Sequence, residues 1–348
     1  MGNSTTSVQD IIDTIASTGG DLSPQANPGN YGTKLSLRIA NDVMADLLSG
    51  AQGPETAWTN RFNWKWNSKL AAVFYTNTYQ QDYPQIGLVD VDWLEIFQWV
   101  DINNTSIPKP ISRPQDTYCV RSLPRLSLGM TTYGWPSQLS WDYNKNLSYG
   151  TWPGANKVYY PLVSASNVAQ QNGPMAILDA NGNILVLTTP SPTGTGTTGN
   201  TAPLAAVNAA EGVTVTDGTC VWTVAGPNSQ GFRVWPLPGA TGPVYQIQVR
   251  YQMIAPKLTT LQSLINPVPD NYSMYFRRGF IAHSLAAAVD PKLQAQGRAA
   301  RGEWLQDLAA AARQGDREQV FYGLVPASFP MDSPNSGMRN PRDPGQPY

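Results

Sequence analysis

The sequence predicts an α+β fold: a helical bundle formed by both chain ends, a β-rich middle domain, and a small β module inserted into it. Three observations predict this. Apolar residues recur at helical spacing near both ends of the chain, and between them the period falls towards two. From residue 164 to 228 the composition changes again, with no Lys or Arg and an excess of Gly, Thr, Ala and Pro.

The 348 residues suffice for one large or two to three modest domains. A hydrophobic fraction of 41% excludes a disordered chain. No run approaches the ~20 apolar residues of a spanning helix, so no membrane partner is expected. Only 14% of residues are charged and the net charge is −1, which excludes a strongly basic nucleic-acid binder. Eleven Trp and 16 Tyr beside 29 Pro and 30 Gly point to the turns, short strands and aromatic contacts of a β-rich assembly protein. The N-terminus is polar and uncharged, without a signal-peptide pattern. Cys119 and Cys220 are therefore expected as free thiols, and without a CxxC they make no zinc site.

Val8, Ile11, Ile12 and Ile15 fall at i, i+3, i+4 and i+7, one face of a helix that Gly19-Gly20 ends. Leu35, Ile39, Val43 and Leu47 repeat the signal, with Gly50 as the stop. Residues 1–57 thus supply N-terminal helices that need a partner. The β-rich domain takes 58–163 and resumes at 230–256, with strands expected over 70–75, 93–102, 117–121 and 158–163 and a connection at Ile107-Pro-Lys-Pro110. The aromatic cluster Trp58, Phe62, Trp64 and Trp66 reads as core or interface, with a sugar-stacking platform as its alternative. The inserted module, 164–229, holds two hairpin signals: apolar runs around Asn181-Gly182, expected as a type I′ turn, and a second pair around Asp217-Gly218.

After the module, Gly231 opens a β segment, and Val244, Ile247, Val249 and Tyr251 alternate with polar residues as one face of a strand. Two helices follow within 257–325. Ile281, Leu285, Ala288 and Val289 line the first; Ala300, Trp304, Leu308 and Ala311 line the second, which starts at Asp290-Pro291 and is capped by Gly315. With the N-terminal helices they form the expected bundle. Residues 326–348 carry six prolines and read as an extended arm.

This half of the chain resembles the tailed-phage head-to-tail adaptor (connector, neck) proteins. The resemblance lies in Phe232-Arg-Val-Trp-Pro-Leu-Pro238, Gln248-Val-Arg-Tyr251, Pro267-Val-Pro-Asp-Asn-Tyr272 and the Ala-rich helices over 274–317, with a looser likeness at Gln80-Gln-Asp-Tyr83-Pro84. It implies a virion protein of the neck between capsid and tail, assembled in the host bacterial cytoplasm. Its subunits would form a homo-oligomeric ring, a dodecamer, docked on the portal protein, with tail, tail-tube or nozzle proteins below. Genomic DNA would pass through it, held weakly and without sequence preference. The alternative is a carbohydrate-binding tail or capsid decoration protein, on the strength of the Trp-rich stretch and the hairpin module.

No motif argues for an enzyme, a cofactor or a metal. Gly194-Thr-Gly196-Thr-Thr-Gly199 spells a nucleotide fingerprint, but Thr201-Ala-Pro203 follows where a helix must start, so a loop is expected. Asp179, Asn181 and Asn183 alternate like a calcium loop that lacks its Gly and closing Glu. His283, the one histidine, has no nucleophile motif nearby and reads as a packing residue. Asp90 and Asp92 read as an exposed strand edge. The interface candidates for portal, neighbour or channel are Arg277, Arg278, Arg298, Arg301, Trp304, Arg313, Arg317 and Trp235. The arginines either meet DNA or are solvated and paired with Glu303, Asp307, Asp316 and Glu318.

Overall fold

The computed structural model describes residues 4–18, 32–49, 62, 64–70, 74–76, 80–101, 104–111, 138–159, 175–190, 195–235 and 245–322. Helix α1 (Val8–Thr18) opens on a reciprocal cap: the Ser7 N–H and hydroxyl donate to Asp10 Oδ2 at 2.8 and 2.7 Å, and Asp10 N–H returns to Ser7 Oγ at 3.1 Å. Helix α2 follows at Gly32–Ser49. The β-rich middle then contributes β1 (Ser68–Leu70), β2 (Phe74–Tyr75), β3 (Asp82–Pro84), β4 (Val91–Asp101), β5 (Asn104–Ile111), β6 (Gln138–Tyr143) and β7 (Val158–Tyr159). Next come β8 (Ala176–Leu178), β9 (Ile184–Thr189), β10 (Gly196–Thr197), β11 (Thr214–Asp217), β12 (Cys220–Ala225), β13 (Gln230–Trp235) and β14 (Tyr245–Met253). Helices α3 (Ser273–Ala286) and α4 (Pro291–Tyr322) complete it.

Strand β14 is central to a five-stranded antiparallel sheet of order β1-β14-β4-β5, in which β2 also pairs with β14. Its inward residues are Tyr245, Ile247, Val249 and Tyr251, so Tyr245 belongs to the buried face and not to the polar one expected for it. A second sheet, β3-β13-β6, packs its Tyr83, Phe232, Val234 and Leu139 into the same core. The expected connection at 107–110 is part of β5 instead. Two prolines are tolerated there because, among the described residues, β5 pairs on one side only, with β4.

The four-stranded sheet β11-β12-β9-β8 has a core of its own: Ile177, Leu185, Leu187, Ala205, Cys220, Trp222 and Val224. Its first hairpin is not the type I′ turn that Asn181-Gly182 predicts. Gly182 N–H donates to the Asp179 carbonyl at 3.1 Å, and only Gly182 has a positive φ, +81°. This is a three-residue loop with Gly in the left-handed position. In the second, Gly218 stands first in a two-residue loop with φ +64°, the II′ placement. Gly196-Thr197, expected as loop, is β10 and pairs with β7.

The helices share one apolar core, but the expected bundle formed by both chain ends is not the fold. The protein is mixed α/β: among the described residues the α-helices lie in the N-terminal region and in the segment from about residue 270, around a β-rich middle. The start of the chain is extended: Ser7 bridges Leu264, and Val8 and Gln9 N–H groups donate to the carbonyls of Ser263 and Leu261. The core around Ile39, Val43, Phe276, Phe280, Trp304 and Leu308 is completed by the non-helical Phe62, Trp64, Leu258, Ile265 and Val268. Helical periodicity at two places identifies faces that need cover, and here connecting segments supply much of it.

Within α3 the buried face is Phe276, Gly279, Phe280 and Ala282, while Val289 lies beyond the helix and is 89% exposed. Helix α4 starts as expected, with Lys292 N–H on Asp290 Oδ1 at 2.8 Å, but runs past Gly315 to Tyr322. The strand expected at 117–121, Cys119, Trp58 and the arm 326–348 lie outside the described residues. No helix among the described residues is long and apolar enough to cross a membrane.

Candidate functional site

Three carboxylates hold the helical layer and the sheets in register. The first is Asp46, on the buried side of α2, where Ile39, Val43 and Leu47 set the face. Its Oδ2 accepts Arg301 Nε and Nη2 from α4 at 2.9 and 2.6 Å, and His283 Nε2 from α3 at 3.0 Å. The His283 ring meets Trp304 edge-on, with centroids 6.0 Å apart. One oxygen thus ties three helices. Acid, imidazole and guanidinium form a static junction, with Arg301 as a permanent cation beside the carboxylate.

The second is Asp270, in the turn ahead of α3. Oδ1 accepts the Ser4 hydroxyl (2.7 Å), the Thr5 N–H (3.0 Å) and the Thr6 hydroxyl (2.9 Å), and Oδ2 accepts the Thr5 hydroxyl (2.8 Å). The side-chain hydrogen bonds from Ser4, Thr5 and Thr6 hold its carboxyl well below the usual carboxylate range. The clasp fastens the start of the chain to the head of α3.

The third, Asp82, is fully buried with Arg233 in the β3-β13 pair. Arg233 Nε and Nη2 donate to its two oxygens at 2.6 and 2.8 Å, and Ser148 N–H adds a bond of 2.6 Å to Oδ2. Burial opposes the charged guanidinium, but Asp82 outweighs it and Arg233 stays more basic than free arginine. Nearby, burial and the Asp82 charge push the Tyr149 phenol upward.

The interface candidates separate on this frame. Arg301 is spent on Asp46, and Trp304 is wholly buried, its indole donating to the Tyr275 carbonyl at 2.8 Å. Arg278 pairs with Asp307 at 2.8 Å across the α3–α4 surface, one of the pairings open from the sequence. Arg298 is exposed, and Arg277 and Trp235 are half-buried. Arg313 and Arg317 lie on the last turns of α4, where side chains are not described. Of the eight, Trp304 is buried inside the helical layer, while Arg301, its side chain still 41% exposed, reaches in from the surface to Asp46.

Phe62 and Trp64 are buried in the helical core and Trp66 stacks on Trp64 at 5.2 Å, so these rings present no open stacking platform. Asp179, spaced like a calcium ligand, instead accepts the Asn181 and Asn183 N–H groups at 2.9 and 2.7 Å and the Ala205 N–H at 3.0 Å. Asp90 accepts the Tyr251 hydroxyl at 2.6 Å and Lys69 at 2.9 Å. Cys220 is a buried free thiol, pushed up to about 11 by burial and by Asp217. Among the described residues, His, Cys, Asp and Glu nowhere gather in threes as metal ligands do. No family model, no curated protein and no solved structure matches the chain.

Asp46 escaped the sequence reading, and Asp82 and Asp270 entered it only as members of the adaptor-like segments, without the ties they make. A signal existed for Asp46, an acid one position before Leu47 on an apolar helical stripe, and for Arg233, a cation between Phe232 and Val234 in a strand buried on both faces.

Proposed function

We propose that the chain is a structural virion protein, the subunit of a head-to-tail adaptor ring that joins the portal to the tail of a tailed phage and forms part of its DNA conduit. The observation that carries this reading is the succession in space of the adaptor-like segments. Strands β13 and β14 meet in one core, β14 leads through 254–266 into the Pro267–Tyr272 turn, and Asp270 of that turn grips the start of the chain where α3 begins. Work of this kind is geometric and rests on large complementary surfaces held at fixed angles. The carboxylate ties are what such a part needs, because they fix helices and strands against one another.

Negative-stain electron microscopy of the purified chain, alone and co-expressed with the portal protein of the same virion, tests the reading. Ring-shaped class averages that co-purify with the portal are expected. A chain that forms no ring in either sample, and does not associate with the portal, overturns it.

A further inference from the structure

The chain passes into and out of the unit 150–226 at two glycines. It enters at Gly150, whose N–H donates to the Ala176 carbonyl at 3.0 Å, and it leaves at Gly226. The approach to the first crossing is bonded to the second: Lys145 N–H donates to the Pro227 carbonyl at 3.1 Å, and the Asn144 amide donates to the Gly226 carbonyl at 3.0 Å and to the Gln85 carbonyl at 2.9 Å. Two crossings side by side make a hinge line, and glycine absorbs rotation there more easily than any other residue. The core of the unit, around Leu185 and Trp222, and the core of the two body sheets, around Phe232 and Val249, share no residue. Parts joined through polar contacts, without a common apolar core, move relative to one another by default.

One side chain opposes that motion. Glu211, on the exposed loop 202–213 of the unit, reaches across the exit. Its Oε1 accepts the Gly87 N–H of the body at 2.7 Å, the Gly226 N–H at 2.9 Å and the Ser229 hydroxyl at 2.8 Å, and the same hydroxyl lies 3.0 Å from Oε2. A single carboxylate thus grips the hinge peptide and the body beyond it. A Cβ at Gly226 would come within 2.9 Å of Glu211 Oε2, so the grip itself requires glycine there. Among the described residues, the other tie away from the crossings is Met175 N–H on Gln80 Oε1 at 2.9 Å.

We propose that 150–226 is a hinged arm that turns about Gly150 and Gly226 and is latched against the body by the Glu211 carboxylate. The proposal is independent of the adaptor reading. The latch depends on charge. Burial opposes the ionised carboxyl, but the Gly87 and Gly226 N–H groups and the Ser229 hydroxyl outweigh it and hold Glu211 below the ordinary glutamate value. The segments around it, 85–88, 202–213 and 226–229, contain no other titratable residue, and Lys145 has its Nζ on Asn228 Oδ1 at 3.3 Å. A depressed carboxyl contributes at neutral pH, and its contribution is lost as pH falls below the released value of about 4.3. Acid should therefore free the arm.

Spin-label distance measurements on the full chain test this, with labels at Leu70→Cys on β1 and Leu178→Cys on β8, both more than half exposed, in a Cys119→Ser background that keeps the buried Cys220. At pH 7 the parent should give one narrow distance. Glu211→Ala should raise the ratio of turned to latched molecules by about tenfold or more, bringing out a second distance. The parent taken to about pH 3.5 should develop the same second distance and lose it on return to pH 7, whereas acid should open the Ala variant no further. Near-ultraviolet circular dichroism should stay unchanged throughout, since the arm turns as a folded body. A single distance in the Ala variant, a parent that keeps one distance in acid, or a second distance that appears only with loss of the near-ultraviolet signal overturns the proposal.

Discussion

Trp304 lies over Gly279, where an added Cβ would run into its ring, while its N–H is taken by the Tyr275 carbonyl. Replacing it leaves a void that α2, α3 and α4 share, so Trp304→Ala should lower stability by about 3–5 kcal/mol in denaturant unfolding. Gly279→Ala should cost about 1–3 kcal/mol, because the ring can yield only by losing its hydrogen bond. Asp270 makes a different prediction. Its carboxyl is depressed in the folded chain, so its contribution is present at neutral pH and begins to be lost as pH falls below the unfolded value of about 3.9. Asp270→Asn should therefore unfold more easily than wild type at pH 7, and the gap should shrink as the pH is taken below about 4. A gap that stays constant down to acid pH would mean that the clasp does not depend on charge.

At the scale of elements, the two-sheet core is fastened by the Asp82–Arg233 pair, which removes two full charges from water in the middle of β13. Arg233→Ala should destabilise by about 3–5 kcal/mol by leaving Asp82 uncompensated, whereas replacing both partners with apolar residues should recover much of that loss. A double-mutant cycle measures it. The four-stranded sheet has a separate core and enters and leaves the body at adjacent points, with Lys145 N–H on the Pro227 carbonyl at 3.1 Å. Its cohesion reaches back before residue 164, since Trp152 packs there and Gly150 bridges Ile177. We propose this unit as a peripheral module. Excision of 150–226 with a short Gly/Ser joint should leave a folded body by circular dichroism and thermal melting. Excision of 164–229 should leave a less stable one, because it strands Trp152 and takes away the Ser229 carbonyl that accepts Asn144 N–H at 2.7 Å.

For the whole molecule, a net charge of −1 and the internal use of Arg301 and Arg278 leave little to attract a polyanion. Binding to duplex DNA at physiological salt should be undetectable by fluorescence anisotropy, as a conduit through which DNA slides requires. Tight, salt-resistant binding by the isolated chain would remove the adaptor reading.

The sequence by itself determined where α1, α2 and the two hairpins of the module lie. Those elements announce themselves through apolar spacing and through Gly at stops and turns, and both are local properties. Tertiary structure alone decided what covers them. Asp46 meets His283 and Arg301 across separations of 237 and 255 residues, and Arg233 meets Asp82 across 151. Nothing in the spacing around any one of these residues specifies its partner. The same holds for Ile107-Pro-Lys-Pro110, whose prolines read as a connection until pairing with β4 makes a strand of them. It holds also for the helical faces at 8–49 and 273–312, which the spacing marks as apolar but whose cover, from Phe62 and Trp64 to Val268, is set by how the intervening chain returns.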